Sequence, residues 1–225
     1  MAKHRFAFAL APLALLAAPA AVADWKFEPF VEARQTYTDN LRLAPPGAER
    51  NEWVTEVAPG FSVHNRGPRF RFDANYRLRY FSLPDDMDEG VDRTRSTLSS
   101  RLNAELAENL LYFDAAASTS QESISAFAPL RGANDYASLN QADVRTYNLS
   151  PYLRHRFGGT ATAELRYTRD SVKADRGGLV NSDGESASVL LSSGRNFDDL
   201  GWTFSAREQR VDYELAPEST SSNAS

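Results

Sequence analysis

Cysteine is absent from all 225 residues. That removes disulfide staples, cysteine zinc sites and thiol nucleophiles together. Histidine occurs only three times, which leaves a transition-metal centre few ligands. Apolar runs of about 20 residues, needed for each span of a polytopic helical membrane protein, are missing beyond the N-terminus. Basic residues are not in excess: 25 Lys and Arg against 30 Asp and Glu give a formal charge of -5, which weighs against a generic nucleic-acid binder. No phosphate loop, dinucleotide fingerprint or G-x-S-x-G elbow occurs. What is present is 11% aromatic residues, too many for a wholly disordered chain. Charged residues make up 24% and the mean hydropathy is -0.48.

The N-terminus reads as an export address. Lys3, His4 and Arg5 precede an apolar stretch from Phe6 to Leu16, and Pro19 precedes Ala21-Val22-Ala23. This is a basic region, an apolar core and a small-x-small cleavage site. Residues 1–23 are the expected signal peptide, cut between Ala23 and Asp24. Removing 23 of 225 residues leaves 202, and losing Lys3 and Arg5 takes the charge from -5 to -7.

Beyond the signal the dominant period is two, the period of a strand. From Arg69 to Phe81, Phe70, Phe72, Ala74, Tyr76, Leu78 and Tyr80 alternate with Arg71, Asp73, Asn75, Arg77 and Arg79. A helix would scatter both sets around its circumference. The pattern recurs over 25–38, 53–64, 93–106, 111–120, 145–157 and 160–168, and more weakly over 185–193 and 200–213. It predicts about nine strands.

The connections predict how the strands are joined. Long segments follow the first, third, fifth and seventh strands. Short ones follow the second, fourth, sixth and eighth, the last at 195–198. In an up-and-down sheet, alternate connections lie at the same end. One end then carries tight turns and the other long polar loops, as in outer-membrane barrels. The expected fold is all-β, an up-and-down antiparallel transmembrane β-barrel of outer-membrane type, over residues 24–216. An odd strand count does not suit a bacterial single-chain barrel. The Ser-rich segment 217–225 reads as a tail or a truncated outer loop, and the barrel as the N-terminal part of a longer one.

Several segments resemble the outer-membrane protein family associated with the PEP-CTERM/exosortase system of Gram-negative bacteria. They are Tyr37-Thr38-Asp39-Asn40, the stretch from Trp53 to Gly60, Leu106 to Ala115, and Val144 to Gly159 continuing into Ala163-Glu164-Leu165-Arg166-Tyr167. The last is the most specific, and the resemblance covers about Tyr37 to Ser171. It implies an outer-membrane location and a link to exopolysaccharide export or assembly. It carries over no catalytic or binding residue, and family members are longer.

Arginine dominates the polar faces. Arg69, Arg71, Arg77, Arg79, Arg95, Arg101, Arg154, Arg156 and Arg166 are the lumen-facing candidates, with Arg93 and Arg145 placed alongside them. Such a wall sets pore selectivity and suits carboxylates or phosphates. The competing reading is internal pairing with Glu56, Asp73, Glu105, Asp114 and Glu164. Trp25, Tyr37, Phe70, Tyr80, Tyr147 and Phe157 are the expected interfacial aromatics. A catalytic triad needs a serine, a histidine and a third polar group at one depth; His64 sits beside a tight turn and His155 does not share the face of Ser150, so both read as structural. The acidic loop 84–90 lacks the EF-hand spacing.

The expected function is therefore a non-enzymatic, porin-like barrel with an arginine-rich interior, needing no cofactor or metal. Its expected partners are outer-membrane lipid and lipopolysaccharide, then exopolysaccharide and its export machinery, with no nucleic acid. The alternatives are a barrel enzyme acting on lipid or polysaccharide and a structural surface anchor.

Overall fold

A computed structural model describes residues 25–41, 47–82, 93–124, 141–175, 179–197, 200–214 and 216–225. The signal segment and the acidic loop 84–90 lie outside the described residues. The strands are β1 (Lys26–Thr38), β2 (Glu52–Arg66), β3 (Phe70–Ser82), β4 (Thr94–Ala107), β5 (Leu111–Ser123), β6 (Gln141–Phe157), β7 (Ala161–Ala174), β8 (Ser182–Ser193), β9 (Thr203–Tyr213) and β10 (Ala216–Ala224). They form one sheet whose spatial order is the chain order. Every neighbouring pair is antiparallel. This is the all-β, up-and-down meander expected, of β-barrel type. Among the described residues β1 and β10 do not pair, so the sheet is not closed on itself.

Two expectations need correction. The strands number ten, because the Ser-rich tail is strand β10, laddered to β9 from Ser219↔Val211 to Ala224↔Ala206. Serine and asparagine carry little apolar alternation, so pairing alone defines this strand. The connection after β8 is also not short. It spans 194–202 and contains a 3-10 turn, Arg195–Phe197, whereas 214–215 joins β9 to β10. Strict alternation of long and short connections thus holds only through the first seven.

The tight turns have local causes. Segments 67–69, 108–110 and 158–160 each join two strands in three residues. Asn109 and Gly158 take φ of 54° and 58°, a region that glycine and asparagine tolerate best. The Asn109 N–H donates to Glu105 Oε1 at 2.5 Å. In the first turn Asn65 Oδ1 accepts the Gly67 N–H at 3.1 Å, closing an Asx-type turn.

Register sorts the side chains into two faces, because directly opposed residues share a face. One row runs Phe27, Val63, Ala74, Ser100, Ala117, Tyr147. A row on the other face runs Lys26, His64, Asp73, Arg101, Ala116, Asn148, Asp170. The apolar face is the exposed one: Val31 is 70% exposed, Phe27 63% and Leu165 52%. On the polar face the Glu56 side chain is 8% exposed and Glu164 15%. A soluble sheet buries the aliphatic side and solvates the charged side; here the order is reversed. At these positions the polar face is the more buried one.

Candidate functional site

The polar face of β1 to β7 brings most of the candidate arginines together, and most of them are paired. Arg77 Nη2 donates to Glu32 Oε1 at 3.0 Å and lies over the Phe30 ring at 5.3 Å. Arg79 Nε donates to Glu56 Oε1 at 2.8 Å. Arg79 and Arg95 are directly opposed on β3 and β4. Both guanidinium groups sit over Phe81, at 5.9 and 5.4 Å. The ring is 1% exposed, so a buried aromatic and the Glu56 carboxylate together offset the repulsion of two like charges.

A second cluster forms on β5 to β7. Arg154 donates to Glu164 Oε2 through Nε at 3.0 Å and Nη2 at 2.7 Å. Arg166 donates to Glu164 Oε1 and to Asp114 Oδ2, both at 3.0 Å. Tyr112 and Tyr152 stack with centroids 5.0 Å apart and planes at 12°. Arg154 covers both rings, at 5.6 and 5.3 Å. Two cations, two carboxylates and two rings thus form one network.

The remaining arginines are placed differently. Arg69 precedes β3, and its Nε lies 3.9 Å from Glu105 Oε2. Arg71 opposes Arg66 and Asn103 on the polar face. Arg156 opposes Thr162. Arg101 directly opposes Asp73, but Asp73 Oδ1 accepts from His64 Nδ1 at 2.9 Å. Arg145 belongs on the apolar face, opposite Thr119 and Lys173; its odd number matches Tyr147, which corrects its placement among the lumen candidates. Internal pairing therefore describes Glu56, Glu105, Asp114 and Glu164, while Asp73 pairs with histidine.

The apolar face carries the six aromatic candidates. Trp25 packs against Phe70 and Phe72 at 5.9 Å each. Tyr37 packs against Trp53 at 5.1 Å. Phe157 meets His155 edge-on at 4.7 Å. Trp25, Phe70 and Phe157 lie at the end with the three-residue turns, and Tyr37 and Tyr80 at the other. Tyr147 is further inside, because β6 begins at Gln141.

The sequence reading missed the aromatic seats on the polar face: Phe30, Phe81, Tyr112 and Tyr152. Their signal was parity, since Phe30 shares its face with Glu28 and Glu32, and Tyr152 with Arg154. Ser150, a conceivable nucleophile, is 5% exposed and hydrogen-bonds with Thr168 Oγ1 at 3.0 Å and Asn148 Oδ1 at 3.3 Å. No known family pattern, curated protein or solved structure matches this chain.

Proposed function

We propose that the chain is an outer-membrane β-barrel protein, exported by its N-terminal signal, that assists exopolysaccharide export or assembly in a PEP-CTERM/exosortase context. Its role is non-catalytic: guidance along a polar interior. The observation that carries the membrane reading is the exposed apolar face, from Val31 on β1 to Phe204 on β9. Soluble monomers rarely expose a contiguous apolar patch beyond about 300–600 Å², and lipid is the solvent such a face suits. The aromatics near both strand ends support the same reading. The pathway rests on the resemblance of Val144 to Tyr167.

Deletion of the full-length gene should reduce secreted polysaccharide, and the protein should fractionate with the outer membrane. Normal polymer secretion would remove the pathway. Recovery only from the soluble periplasm would remove the membrane reading.

The pairing of Arg77, Arg79, Arg154 and Arg166 favours a second reading, a structural surface anchor with a filled interior. Planar-bilayer recording separates the two, since an anchor conducts nothing and an arginine-lined path prefers anions.

A further inference from the structure

A groove of about 490 Å³ crosses the polar face over β3 to β6. Its lining includes Asp73, Asn75, Arg101, Ala116, Ser118 and Asn148. It is open because small residues occupy the rows that elsewhere carry Arg, Glu and Tyr. Ala116 faces Arg101 on one side and Asn148 on the other. Ser99 and Ser118 oppose each other in the next row.

Charge distinguishes this groove. Arg77, Arg79, Arg154 and Arg166 each hold a carboxylate within 3.0 Å. Arg101 has the carboxylate of Asp73 directly across the strand pair, yet Asp73 Oδ1 is held by His64. Among the described residues Arg101, like Arg71 and Arg156, has no carboxylate partner, and it lines the groove beside hydroxyl and amide groups. A guanidinium fork matches a carboxylate in two parallel hydrogen bonds. Ser99, Ser118, Thr146 and Asn75 offer donors and acceptors suited to hydroxyl groups.

We infer that this groove is a binding site for a sugar carboxylate of the uronic-acid class, with Arg101 holding the carboxylate and the flanking Ser, Thr and Asn side chains holding ring hydroxyls. His64 is a positioning residue: its hydrogen bond to Asp73 Oδ1 competes with Arg101 for that carboxylate. The inference deepens the proposed function by giving the guided polymer a chemical class, and it rests on that reading for the ligand's source. The volume lies in the range of small-molecule sites, about 300–1,000 Å³.

Isothermal titration of the full chain in detergent micelles with D-glucuronate, D-glucose and inorganic phosphate tests it. Glucuronate should bind more tightly than either of the others. Arg101→Ala should weaken it about 10- to 100-fold, the size of a lost charge-assisted pair. Ala116→Leu should weaken it by filling the groove with Arg101 intact, which covers the case that the arginine variant misfolds. His64→Ala should weaken it too, and adding Asp73→Asn should restore it, a rescue that general destabilisation would not give. Equal binding of glucose, tighter binding of phosphate, no measurable binding of glucuronate, or indifference to both Arg101→Ala and Ala116→Leu overturns the inference. Flotation of the same sample with phospholipid vesicles separates the two readings. Flotation without glucuronate binding removes this site alone, and glucuronate binding without flotation removes the membrane reading alone.

Discussion

Arg166 lies over the ring of Tyr152, its guanidinium carbon 3.8 Å from the centroid. From that seat on β7 it spans β6 to reach Asp114 on β5. The long arginine side chain reaches across one intervening strand, about two strand spacings. From over the tyrosine, one arginine holds Asp114 and Glu164 at the same time. This network, and not local propensity, joins β5, β6 and β7 on their inner side.

Arg166→Met should therefore destabilise the folded chain by about 1–3 kcal/mol, since Asp114 loses a charged partner in a half-buried setting. Arg166→Lys should recover less than half, because an ammonium cannot serve both carboxylates and stack on the ring. Urea unfolding followed by the shift between folded and unfolded gel bands measures both. Equal stability of the wild type and Arg166→Met would show that the network is ornamental.

Val31 is 70% exposed on the apolar face. Facing water, Val31→Arg would change stability by less than about 0.5 kcal/mol. Facing lipid, it would cost about 2–4 kcal/mol near the bilayer midplane. The expected result is the larger loss, read as reduced folding into vesicles. Leu165→Arg, also on that face, should behave alike. Thr97→Arg, on the polar face opposite Arg77, should leave vesicle insertion intact.

Gly60 opposes Phe30 across β1 and β2. A Cβ at Gly60 would collide with the Phe30 ring and with the Tyr76 carbonyl oxygen. Gly60→Ala should cost about 1–3 kcal/mol through this overpacking. Adding Phe30→Ala should reduce the penalty of the Gly60 change without abolishing it, because the carbonyl contact remains. A double-mutant cycle in urea reads the coupling, and strict additivity would contradict the contact.

Asn109 turns β4 into β5 at φ 54°. Asn109→Gly should be neutral within about 0.5 kcal/mol, whereas Asn109→Val should cost about 1–2 kcal/mol of left-handed strain. The same urea titration distinguishes them.

The sequence alone determined the strands with a strong alternation and the face of almost every residue in them. A period of two belongs to the backbone and needs no partner to be read. Phe70, Phe72 and Ala74 against Arg71 and Asp73 could be sorted from their numbers alone. Parity would equally have placed Arg145 with Tyr147. Strand β10 was not legible, because Ala216–Ala224 has almost no apolar side to alternate, and only its hydrogen bonds to β9 make it a strand. The full length of connection 194–202 was not legible, because the alternation of β9 is weak and its start is set by the pairing of Thr203 with Ser192.

The tertiary structure alone decided which charges meet. Pairing depends on strand order and register, which bring Arg166 to Asp114 across 52 residues and Arg77 to Glu32 across 45. It also decided that His64, not Arg101, takes Asp73, though both oppose it directly. Composition supplied arginines and carboxylates in plenty. Which arginines paired with a carboxylate was settled only when neighbouring strands fixed the distance between side chains.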